Sequence, residues 1–407
     1  MADGLYRLTG KPGVIIGNEG PGVANLAAAA IAAAKENTPT IFIAGQRERY
    51  FDQQVRRGHF QYTRQPRYFE EAMKFVGVID HADHVDDIFH EAFRQAFTGK
   101  PGPVYIEYPQ DYAGATHTFG PLKQPAEYRL VNQSADAASL EAAVTMIEQA
   151  EQPVLLVGDL RDVVPQLQSV LEGRVLQPRF PDNYSQLLQS SLKDMNDAVE
   201  AASSETAVHP AHLATEISRA MPDNPVIIRD GGAVCLWNMA FNTTASSDMH
   251  WCQNFGHLGT GIPHAIGAQL AVGDSRRVVL ISGDSAFQFH ISELETAVRK
   301  NLPIVFVVGC DYAWGLEVKV YNVAFGDDAP NTEAQWGKQV RFDKIAEGYG
   351  AHGEYVERRE DIAPAIERAL ASGRPAVVQV PIDPRINAVE VPAFEEFATW
   401  YGDKGYS

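Results

Sequence analysis

The chain has 407 residues, which is too long for one ordinary hydrophobic core and therefore predicts two or three domains. Hydrophobic residues make up 45% and charged residues 21% of the sequence, a balance typical of a globular protein and not of a disordered one. The formal net charge of -18 argues against nucleic acid as a partner, because nucleic acid is bound by basic surfaces.

The sequence shows no feature that would carry the chain into a membrane. Met1–Gly4 has neither the basic nor the apolar region of a signal peptide, and the longest apolar run, Leu26–Ala34, is too short to span a bilayer. Cys235, Cys252 and Cys310 form no CxxC pair and show no other metal-ligand spacing. Such a sparse, odd count is typical of a reducing compartment, so we expect a cytoplasmic protein with no membrane partner.

Short apolar runs alternate with helical stretches along the chain. Continuous apolar runs favour strands that are buried on both faces of a parallel sheet. The predicted strands are Val14–Ile16, Thr40–Ala44, Val104–Tyr108, Val154–Val157, Val226–Ile228, Val278–Ile281, Ile304–Val308 and Ala376–Val380. Predicted helices include Leu26–Lys35, Ala137–Ala150 and Ile291–Asn301, the last with Ser292 and Glu295 as a capping box. This alternation predicts an α/β fold with parallel sheets.

Two distant segments contain the same predicted elements in the same order. Residues 87–109 and 361–381 each run from a helix through a Gly-Pro or Gly-Arg-Pro turn into a buried strand that ends at a proline. This order is common in α/β proteins and can arise by convergence. It also fits two related α/β domains that flank a different middle domain, and we favour that interpretation.

Two acidic residues follow two predicted strands at the point where each strand ends. One strand leads into Gly283, Asp284 and Ser285, and the next strand leads into Asp311. Open parallel sheets place ligands at the carboxyl ends of their strands, so both carboxylates can converge on one hard cation if the strands are neighbours. Mg2+ prefers such oxygen ligands and often binds a diphosphate as a further ligand. Backbone N–H groups of a turn built from small residues can approach the phosphate oxygens.

This segment resembles the cofactor motif of thiamine-diphosphate (ThDP) enzymes, which runs from Gly-Asp-Gly through a helix and a strand to Asn-Asn. The resemblance places Asp284 and Asp311 at two Mg2+-ligand positions, places the backbone oxygen of Ala313 at the third, and implies cofactor contacts at Gly283, Ser285 and Ala286. The sequence departs from the motif twice, because Ser285 replaces a glycine and Cys310-Asp311 replaces Asn-Asn. Aspartate keeps an oxygen ligand, so the metal is still expected, and Cys310 is expected to be a small buried hydrophobe.

The resemblance covers nearly the whole chain and points to the superfamily of acetohydroxyacid synthases, benzaldehyde lyases and 2-hydroxyacyl-CoA lyases. Residues 6–13 and 20–26 are similar to its pyrimidine-binding domain, which implies cofactor contacts at Gly20, Pro21 and Gly22. Residues 256–263 are similar to the loop that grips the aminopyrimidine.

In that loop the resemblance implies that the Gly256 carbonyl accepts a hydrogen bond from the cofactor 4′-amino group. Leu258 would be the apolar wedge that bends the cofactor, although simple core packing is an alternative for this side chain. His257 is a candidate acid–base group. Asp230, with the two glycines that follow it, is interpreted as part of a tight turn near the cofactor and not as a ligand.

The resemblance divides the chain into four parts. They are a pyrimidine-binding domain at 1–120 whose N-terminal part is missing, a shortened middle domain at 133–204, a diphosphate-binding domain at 207–390 and a tail at 391–407. The family glutamate that binds the cofactor nitrogen N1′ falls just before Met1. We expect that the sequence omits segments of a longer chain; a truncated gene and a true variant without the glutamate are the alternatives. Glu19 aligns near the thiazolium side, so we do not assign it as a replacement.

The resemblance implies ThDP- and Mg2+-dependent cleavage or formation of C–C bonds on small-molecule 2-oxo acids or 2-hydroxyacyl compounds. An acetolactate-synthase-like decarboxylase or carboligase is the first interpretation, and a 2-hydroxyacyl-CoA lyase or an oxalyl-CoA-decarboxylase-like enzyme is the second. A non-catalytic paralogue of the ThDP fold and a different Mg2+-diphosphate enzyme are further alternatives. The family site lies between subunits, so a homodimer or homotetramer is implied.

Overall fold

The computed structural model describes residues 1–53, 60–121, 123–128, 135–150, 160–174, 183–204, 206–252, 254–326, 333–336 and 340–386. The chain divides into two compact units. Unit 1 comprises Met1–Gly13 and Asp194–Ser407, and unit 2 comprises Val14–Lys193. The first 13 residues therefore group with the C-terminal part of the chain. The predicted domain boundaries, including the middle domain at 133–204, remain predictions.

Within the described residues the strands form two sheets. They are β1 (Gly13–Gly17), β2 (Thr40–Gln46), β3 (Phe75–Val78), β4 (Val104–Pro109), β5 (Val226–Asp230), β6 (Asp248–Trp251), β7 (Val278–Gly283), β8 (Val305–Cys310), β9 (His352–Tyr355) and β10 (Ala376–Pro381).

Helices connect most of these strands. They are α1 (Ala2–Thr9), α2 (Pro21–Ala24), α3 (Ala27–Lys35), α4 (Val85–Phe97), α5 (Gln110–Ala113), α6 (Pro125–Tyr128), α7 (Ala137–Gln149), α8 (Leu160–Leu171), α9 (Tyr184–Ala202), α10 (Pro210–Ala220), α11 (Ala233–Phe241), α12 (Gly261–Val272), α13 (Asp284–Phe289), α14 (Leu294–Arg299), α15 (Gly315–Phe325), α16 (Phe342–Tyr349) and α17 (Arg359–Ala371). Short 3-10 helices occupy Arg49–Gln53, Gln65–Tyr68, Ala82–His84 and Ile291–Glu293.

Unit 2 contains a four-stranded sheet in the order β1-β2-β4-β3. Strand β4 pairs in parallel with β2 and with β3, and Val104 is the register partner of both Ile41 and Phe75. Apolar side chains from the two faces of the sheet form two separate core clusters, one around Phe42, the other around Ile41.

Unit 1 contains a six-stranded parallel sheet in the order β6-β5-β7-β8-β10-β9. Successive residues of β7 belong to opposite core clusters: Val278 and Leu280 pack on one face, while Val279 and Ile281 pack on the other. Both faces of the central strands are therefore buried, which explains why these strands read as continuous apolar runs in the sequence.

The predicted α/β fold with two parallel-sheet domains is confirmed, and so are the strands of the sheet interiors. The predicted strand Val154–Val157 lies outside the described residues. Three strands were not predicted, namely β3, β6 and β9. Each has four residues and lies at a sheet edge, and β6 and β9 lack a continuous apolar run.

The helix predicted over Ile291–Asn301 is confirmed in part, since the 3-10 turn Ile291–Glu293 leads directly into α14, which ends at Arg299. A separate helix, α13, precedes it and begins at Asp284. The predicted capping box is wrong, because the residue that precedes α14 is Glu293 and no side chain caps this helix. The two similar segments do form matching units, since α4 leads into β4 and α17 leads into β10, and each strand lies inside its sheet.

The buried sheet of unit 1 should dominate its stability. We expect Leu280→Ala, which empties a fully buried position of β7, to lower the free energy of unfolding by about 2–5 kcal/mol. The matched control is Leu270→Ala on α12, where the side chain is 54% exposed and the loss should stay below about 1 kcal/mol. Urea unfolding followed by circular dichroism measures both values, and equal losses would contradict this account of the core.

Candidate functional site

Unit 1 has a cavity of about 340 Å3 at the carboxyl ends of its central strands. Turns that follow β5, β7 and β8 form one side of it, which is where open parallel sheets place ligands. Its lining residues are Gly231–Val234, Trp251, Cys252, Asn254–Leu258, Gly283–Ser285, Asp311, Ala313 and Gly315–Glu317. Eight of the predicted site residues therefore line one cavity, namely Gly256, His257, Leu258, Gly283, Asp284, Ser285, Asp311 and Ala313. Ala286 is buried and is not among the lining residues.

Asp284 and Asp311 meet because β7 and β8 are parallel neighbours in register, with Gly283 opposite Gly309. Asp284 is 1% exposed. Its Oδ1 accepts a hydrogen bond from the Ser285 N–H at 2.7 Å, and its Oδ2 accepts one from the Tyr312 N–H at 2.7 Å. The Asp311 carboxylate accepts from the Ala313 N–H at 3.2 Å. Backbone donors thus fix the position of both carboxylates.

Tyr312 makes this turn possible by adopting the left-handed conformation, with φ of 57°. A non-glycine residue there costs about 1 kcal/mol or more, and it persists where neighbours hold it. The neighbouring segment does so: the Trp336 N–H donates to the Tyr312 carbonyl at 3.0 Å, and the Trp314 N–H donates to the Ala334 carbonyl at 2.7 Å. The strained turn therefore aims one backbone N–H at the Asp284 carboxylate.

The two carboxyl groups resist ionisation together. Burial raises the pKa of Asp284, and the charge of Asp311 raises it further. Burial also raises the pKa of Asp311, and burial raises the pKa of Glu317, which lines the same cavity. Among the described residues that line the cavity, none is lysine or arginine. This arrangement, with Asp284 buried, Asp311 half-buried and Glu317 exposed, favours a bound cation, which would remove the repulsion.

Two helices begin at the cavity wall. Helix α11 starts at Ala233 directly after Gly231 and Gly232, and α15 starts at Gly315. The unpaired backbone N–H groups and the dipole of a helix N-terminus favour an anion. The cavity therefore offers carboxylate ligands for a cation beside backbone donors for an anion.

Asp230 holds the loop that precedes α12. Its carboxylate is 2% exposed and accepts hydrogen bonds from the N–H groups of Gly259 (3.2 Å) and Gly261 (2.6 Å). Burial raises the pKa of Asp230 to about 7, although these N–H groups oppose the shift. Gly259 has φ of 85°, and a Cβ atom there would lie 2.4 Å from that of Phe289. The loop therefore needs both the carboxylate and the glycine.

The side chains of this loop lie at the cavity. Leu258 is half-buried and belongs to none of the core clusters of the described residues, so core packing does not explain it. His257 stacks on Phe255, with 5.8 Å between ring centroids. Burial lowers the pKa of His257, and His290 lowers it further, so the imidazole is neutral at pH 7. His290 in turn bonds the Gly259 carbonyl through Nδ1 at 2.7 Å.

The remaining predicted site residues, Gly20, Pro21 and Gly22, belong to unit 2, where they form the start of α2. Gly20 has φ of 64°, and its N–H donates to the Gln65 Oε1 at 2.7 Å. Glu19 forms an ion pair with Arg47 at 2.8 Å.

Three residues of the cavity region were not predicted in their observed roles. Asp230 was interpreted as part of a turn, but its carboxylate anchors the loop 31 residues later. Glu317 and Cys252 line the cavity without any sequence signal. The predicted burial of Cys310 is confirmed, since it is fully buried in the core of unit 1.

Two family profiles match the chain. One, described as the thiamine pyrophosphate enzyme, C-terminal TPP binding domain, matches residues 230–380. The other, the N-terminal TPP binding domain of the same enzymes, matches residues 1–67. Together they cover more than half of the chain, and the first spans the whole cavity. The chain belongs to the thiamine pyrophosphate enzymes.

Similar proteins agree with this membership. An acetolactate synthase of Bacillus subtilis (strain 168) is 23% identical, with 94% of this chain and 84% of that protein aligned. A sulfoacetaldehyde acetyltransferase of Castellaniella defragrans is also 23% identical, with 91% and 82% aligned. The thiamine diphosphate-dependent 4-hydroxybenzoylformate decarboxylase of Rhodococcus jostii RHA1 has the same fold, with a TM-score of 0.72, 20% identity and coverage of 94% and 89%. In the described part of this thiamine pyrophosphate enzyme, no helix is long and apolar enough to cross a bilayer.

The raised pKa values predict how a divalent cation binds to this thiamine pyrophosphate enzyme. A cation at Asp284 and Asp311 must displace the proton that the pair retains, so Mg2+ affinity should rise with pH, by up to about tenfold per pH unit for one proton displaced. Without a cation the folded state binds more protons than the unfolded state, so stability should fall as pH rises through the raised pKa values. Calorimetric Mg2+ titrations and urea unfolding at pH 6, 7 and 8 measure both trends.

Asp311→Asn serves as the internal comparison for that experiment. Removing one charge should lower the pKa of Asp284, so the rise of Mg2+ affinity should move to lower pH. A Mg2+ affinity that does not change with pH in the unmodified protein would contradict the shared-proton description.

The Asp230 anchor gives a separate prediction. Asp230→Asn replaces one carboxylate oxygen with an amide N–H group, which cannot accept a hydrogen bond from the backbone. The loop at 256–261 therefore loses one buried hydrogen bond. We expect ThDP affinity to fall by about threefold to tenfold, while Mg2+ affinity in the absence of ThDP stays unchanged. The control is Asp248→Asn on the edge strand β6, which removes the ion pair between Asp248 and Arg276. An equal loss in both variants would show that the anchor is not specific to the cofactor loop.

Proposed function

We propose that the cavity of unit 1 binds ThDP together with Mg2+, and that the enzyme cleaves or forms the C–C bond next to the carbonyl group of a 2-oxo acid. The observation that supports this most directly is the pair of carboxylates, buried Asp284 and half-buried Asp311, at adjacent strand ends in a cavity lined by no described lysine or arginine. An anionic cofactor can enter such a cavity only with a cation that the carboxylates hold.

The donor set suits Mg2+. Asp284 and Asp311 offer carboxylate oxygens, and Ala313, which lines the cavity two residues later, offers a backbone carbonyl. Hard oxygen ligands of this kind leave further positions of the cation for phosphate oxygens and water. The small residues Gly283 and Ser285 keep the turn beside the cation open to a diphosphate.

The N-termini of α11 and α15 support a diphosphate at the same place. Their backbone N–H groups would bind the phosphate oxygens that the cation does not neutralise. Since neither end carries a basic side chain among the described lining residues, the backbone and the cation share this task.

The loop at 256–261 would hold the other end of the cofactor. We assign the Gly256 carbonyl as the acceptor of the 4′-amino group and Leu258 as the apolar support of the bent cofactor. His257, which is neutral at pH 7, can accept a proton at the cavity wall. When bound, ThDP supplies the nucleophile and the electron sink of the reaction, and the chain supplies position and charge.

We further propose that Gly20, Pro21 and Gly22 contribute to the pyrimidine side of a site completed by a second copy of the chain, which would make the protein a homodimer or homotetramer. The resemblance implies a glutamate that binds the cofactor N1′, and no residue is assigned to that role. Glu19 is not proposed for it, since its carboxylate is paired with Arg47.

The similar proteins favour 2-oxo acid chemistry over CoA-ester chemistry. Acetolactate synthase and 4-hydroxybenzoylformate decarboxylase are both among them. Phe287, which follows the Gly283–Ala286 segment, is 1% exposed and packs against Phe306 and Phe342. This side chain serves the core and carries no information on the substrate.

Substitution of the two aspartates should separate their roles. Asp284→Asn is expected to weaken Mg2+-dependent ThDP binding by about 100-fold or more, because it removes the fixed charge that holds the cation. Asp311→Asn leaves the Asp284 carboxylate, which two backbone N–H groups hold in place, and should retain binding within about tenfold. Calorimetric titration of ThDP into metal-stripped protein, with and without Mg2+, measures both, and Asp361→Asn at the exposed start of α17 is the control.

Turnover is tested with pyruvate and with aryl 2-oxo acids, by following carbon dioxide release in the presence of ThDP and Mg2+. Decarboxylation that is lost in Asp284→Asn and kept in Asp361→Asn would support the proposal. Saturable ThDP binding without any turnover of these acids would contradict the proposed substrate class and leave the cofactor site intact. Preference for another diphosphate over ThDP would contradict the proposal as a whole.

A further inference from the structure

A second cluster of ligand-type side chains lies in unit 1, apart from the aspartate pair. Asp3 on α1, Cys252 just after β6 and His264 on α12 bring one carboxylate, one thiol and one imidazole together. The His264 Nε2 lies 2.7 Å from the Asp3 Oδ2. The Cys252 Sγ lies 3.7 Å from the same Oδ2, 3.5 Å from the His264 Nδ1 and 4.0 Å from Nε2.

Two glycines bring these residues within reach. A Cβ atom on Gly4 would lie 2.4 Å from the His264 carbonyl oxygen, and one on Gly267 would lie 1.9 Å from the Met1 carbonyl oxygen. Helices α1 and α12 therefore pack with their backbones in direct contact, as small residues at a helix crossing allow. This contact places Asp3 beside a histidine that is far away in the sequence.

The three atoms form a triangle that fits one small cation. Tetrahedral Zn2+ with one sulfur, one nitrogen and one oxygen ligand needs separations of about 3.4–3.6 Å between the ligand atoms. The observed sides are 2.7, 3.7 and 4.0 Å. A cation bound to Nε2 requires the Asp3–His264 contact to open and the Cys252 side chain to rotate from the Nδ1 edge of the imidazole toward Nε2. We propose that Asp3, Cys252 and His264 bind a soft divalent cation of the Zn2+ type.

The surroundings prepare the ligands for this role. Burial acts against ionisation of Asp3, but His264 and Arg7 hold the pKa of its carboxyl group well below the usual range. The Arg7 Nε donates to the Asp3 Oδ1 at 2.9 Å, which fixes the carboxylate from outside, as partners of metal ligands do. Cys252 and His264 are both buried.

His250 is a candidate for a fourth ligand of the proposed cation. It precedes Cys252 by two residues, and its Nε2 is buried with no hydrogen-bond partner among the described residues. Burial lowers the pKa of His250 to about 4, and the charges of Arg7 and His264 act in the same direction. The imidazole is therefore neutral, which is the form that binds metals.

This site differs in chemistry and effect from the aspartate pair. A thiolate and an imidazole select Zn2+ and related ions, whereas two carboxylates select Mg2+. Cys252 and His264 also bracket the loop at 256–261, and Cys252 lines the cofactor cavity. A cation held between them would fix both ends of that loop. Bound zinc would thereby restrict the positions that the loop can take at the cofactor cavity.

The test is a titration of the metal-stripped full chain with Co2+, followed by absorbance. We expect a thiolate-to-metal absorption band in the near ultraviolet that saturates at one ion per chain and disappears when Zn2+ is added. Cys252→Ala and His264→Ala should each abolish the band. The matched control Cys235→Ala, which removes another buried thiol, and Asp284→Asn should both keep it. Absence of the band up to millimolar Co2+, or its survival in Cys252→Ala, would overturn the proposal.

A second measurement needs no substitution, in case the variants do not fold. The unmodified protein is treated with a maleimide in the presence of either Zn2+ or Mg2+, and the labelled cysteines are identified by mass spectrometry. Zn2+, but not Mg2+, is expected to slow the labelling of Cys252 by about tenfold or more at saturation, while the labelling of Cys235 stays the same. Equal labelling of Cys252 in both metals would overturn the proposal.

Discussion

The parallel register of β7 and β8 is the constraint on which the candidate site depends. Because Gly283 lies opposite Gly309, the two strands end within one residue of each other and each is followed by an aspartate. The sheet thereby forces two acidic side chains into a buried region where neither ionises readily. The stability of the strands, which are covered on both faces, maintains this unfavourable contact. A bound cation would offset this cost, which is the physical basis of the metal affinity proposed for the site.

A second set of backbone contacts adapts the rest of the cavity to a ligand. The Tyr312 turn and the Asp230 anchor both join a carboxylate to backbone N–H groups of another segment. In each case a residue with positive φ, Tyr312 or Gly259, lets the chain turn sharply enough to present those groups. Such contacts fix a loop without large side chains, which leaves space for a cofactor between the loop and the strand ends.

Sequence patterns predicted the central strands because both faces of each strand are buried, and this leaves continuous apolar runs such as Val278–Ile281. They did not predict β6 and β9, since edge strands with one open side tolerate polar residues such as Asp248 and Glu354. Asp284 and Asp311 were found because each follows a strand of the predicted kind. The role of Asp230 was missed because its partners are separated from it in the chain. The same reason hid the cluster of Asp3, Cys252 and His264: metal-ligand spacing in sequence reports only ligands on one local segment, and 249 residues separate Asp3 from Cys252.

The charges of the cavity imply that cation and cofactor bind together under the proposed function. Without basic side chains among the described lining residues, a diphosphate that entered alone would meet Asp284, Asp311 and Glu317. A cation that entered alone would neutralise the aspartates but leave most of its own ligand positions to water. Each ligand therefore lowers the free energy of the other's binding, and by linkage the two effects are equal. The strength of this coupling is set by the acidic pair, so the second aspartate at position 311, where the resembling motif has asparagine, should make cofactor binding depend on Mg2+ more steeply than an asparagine would.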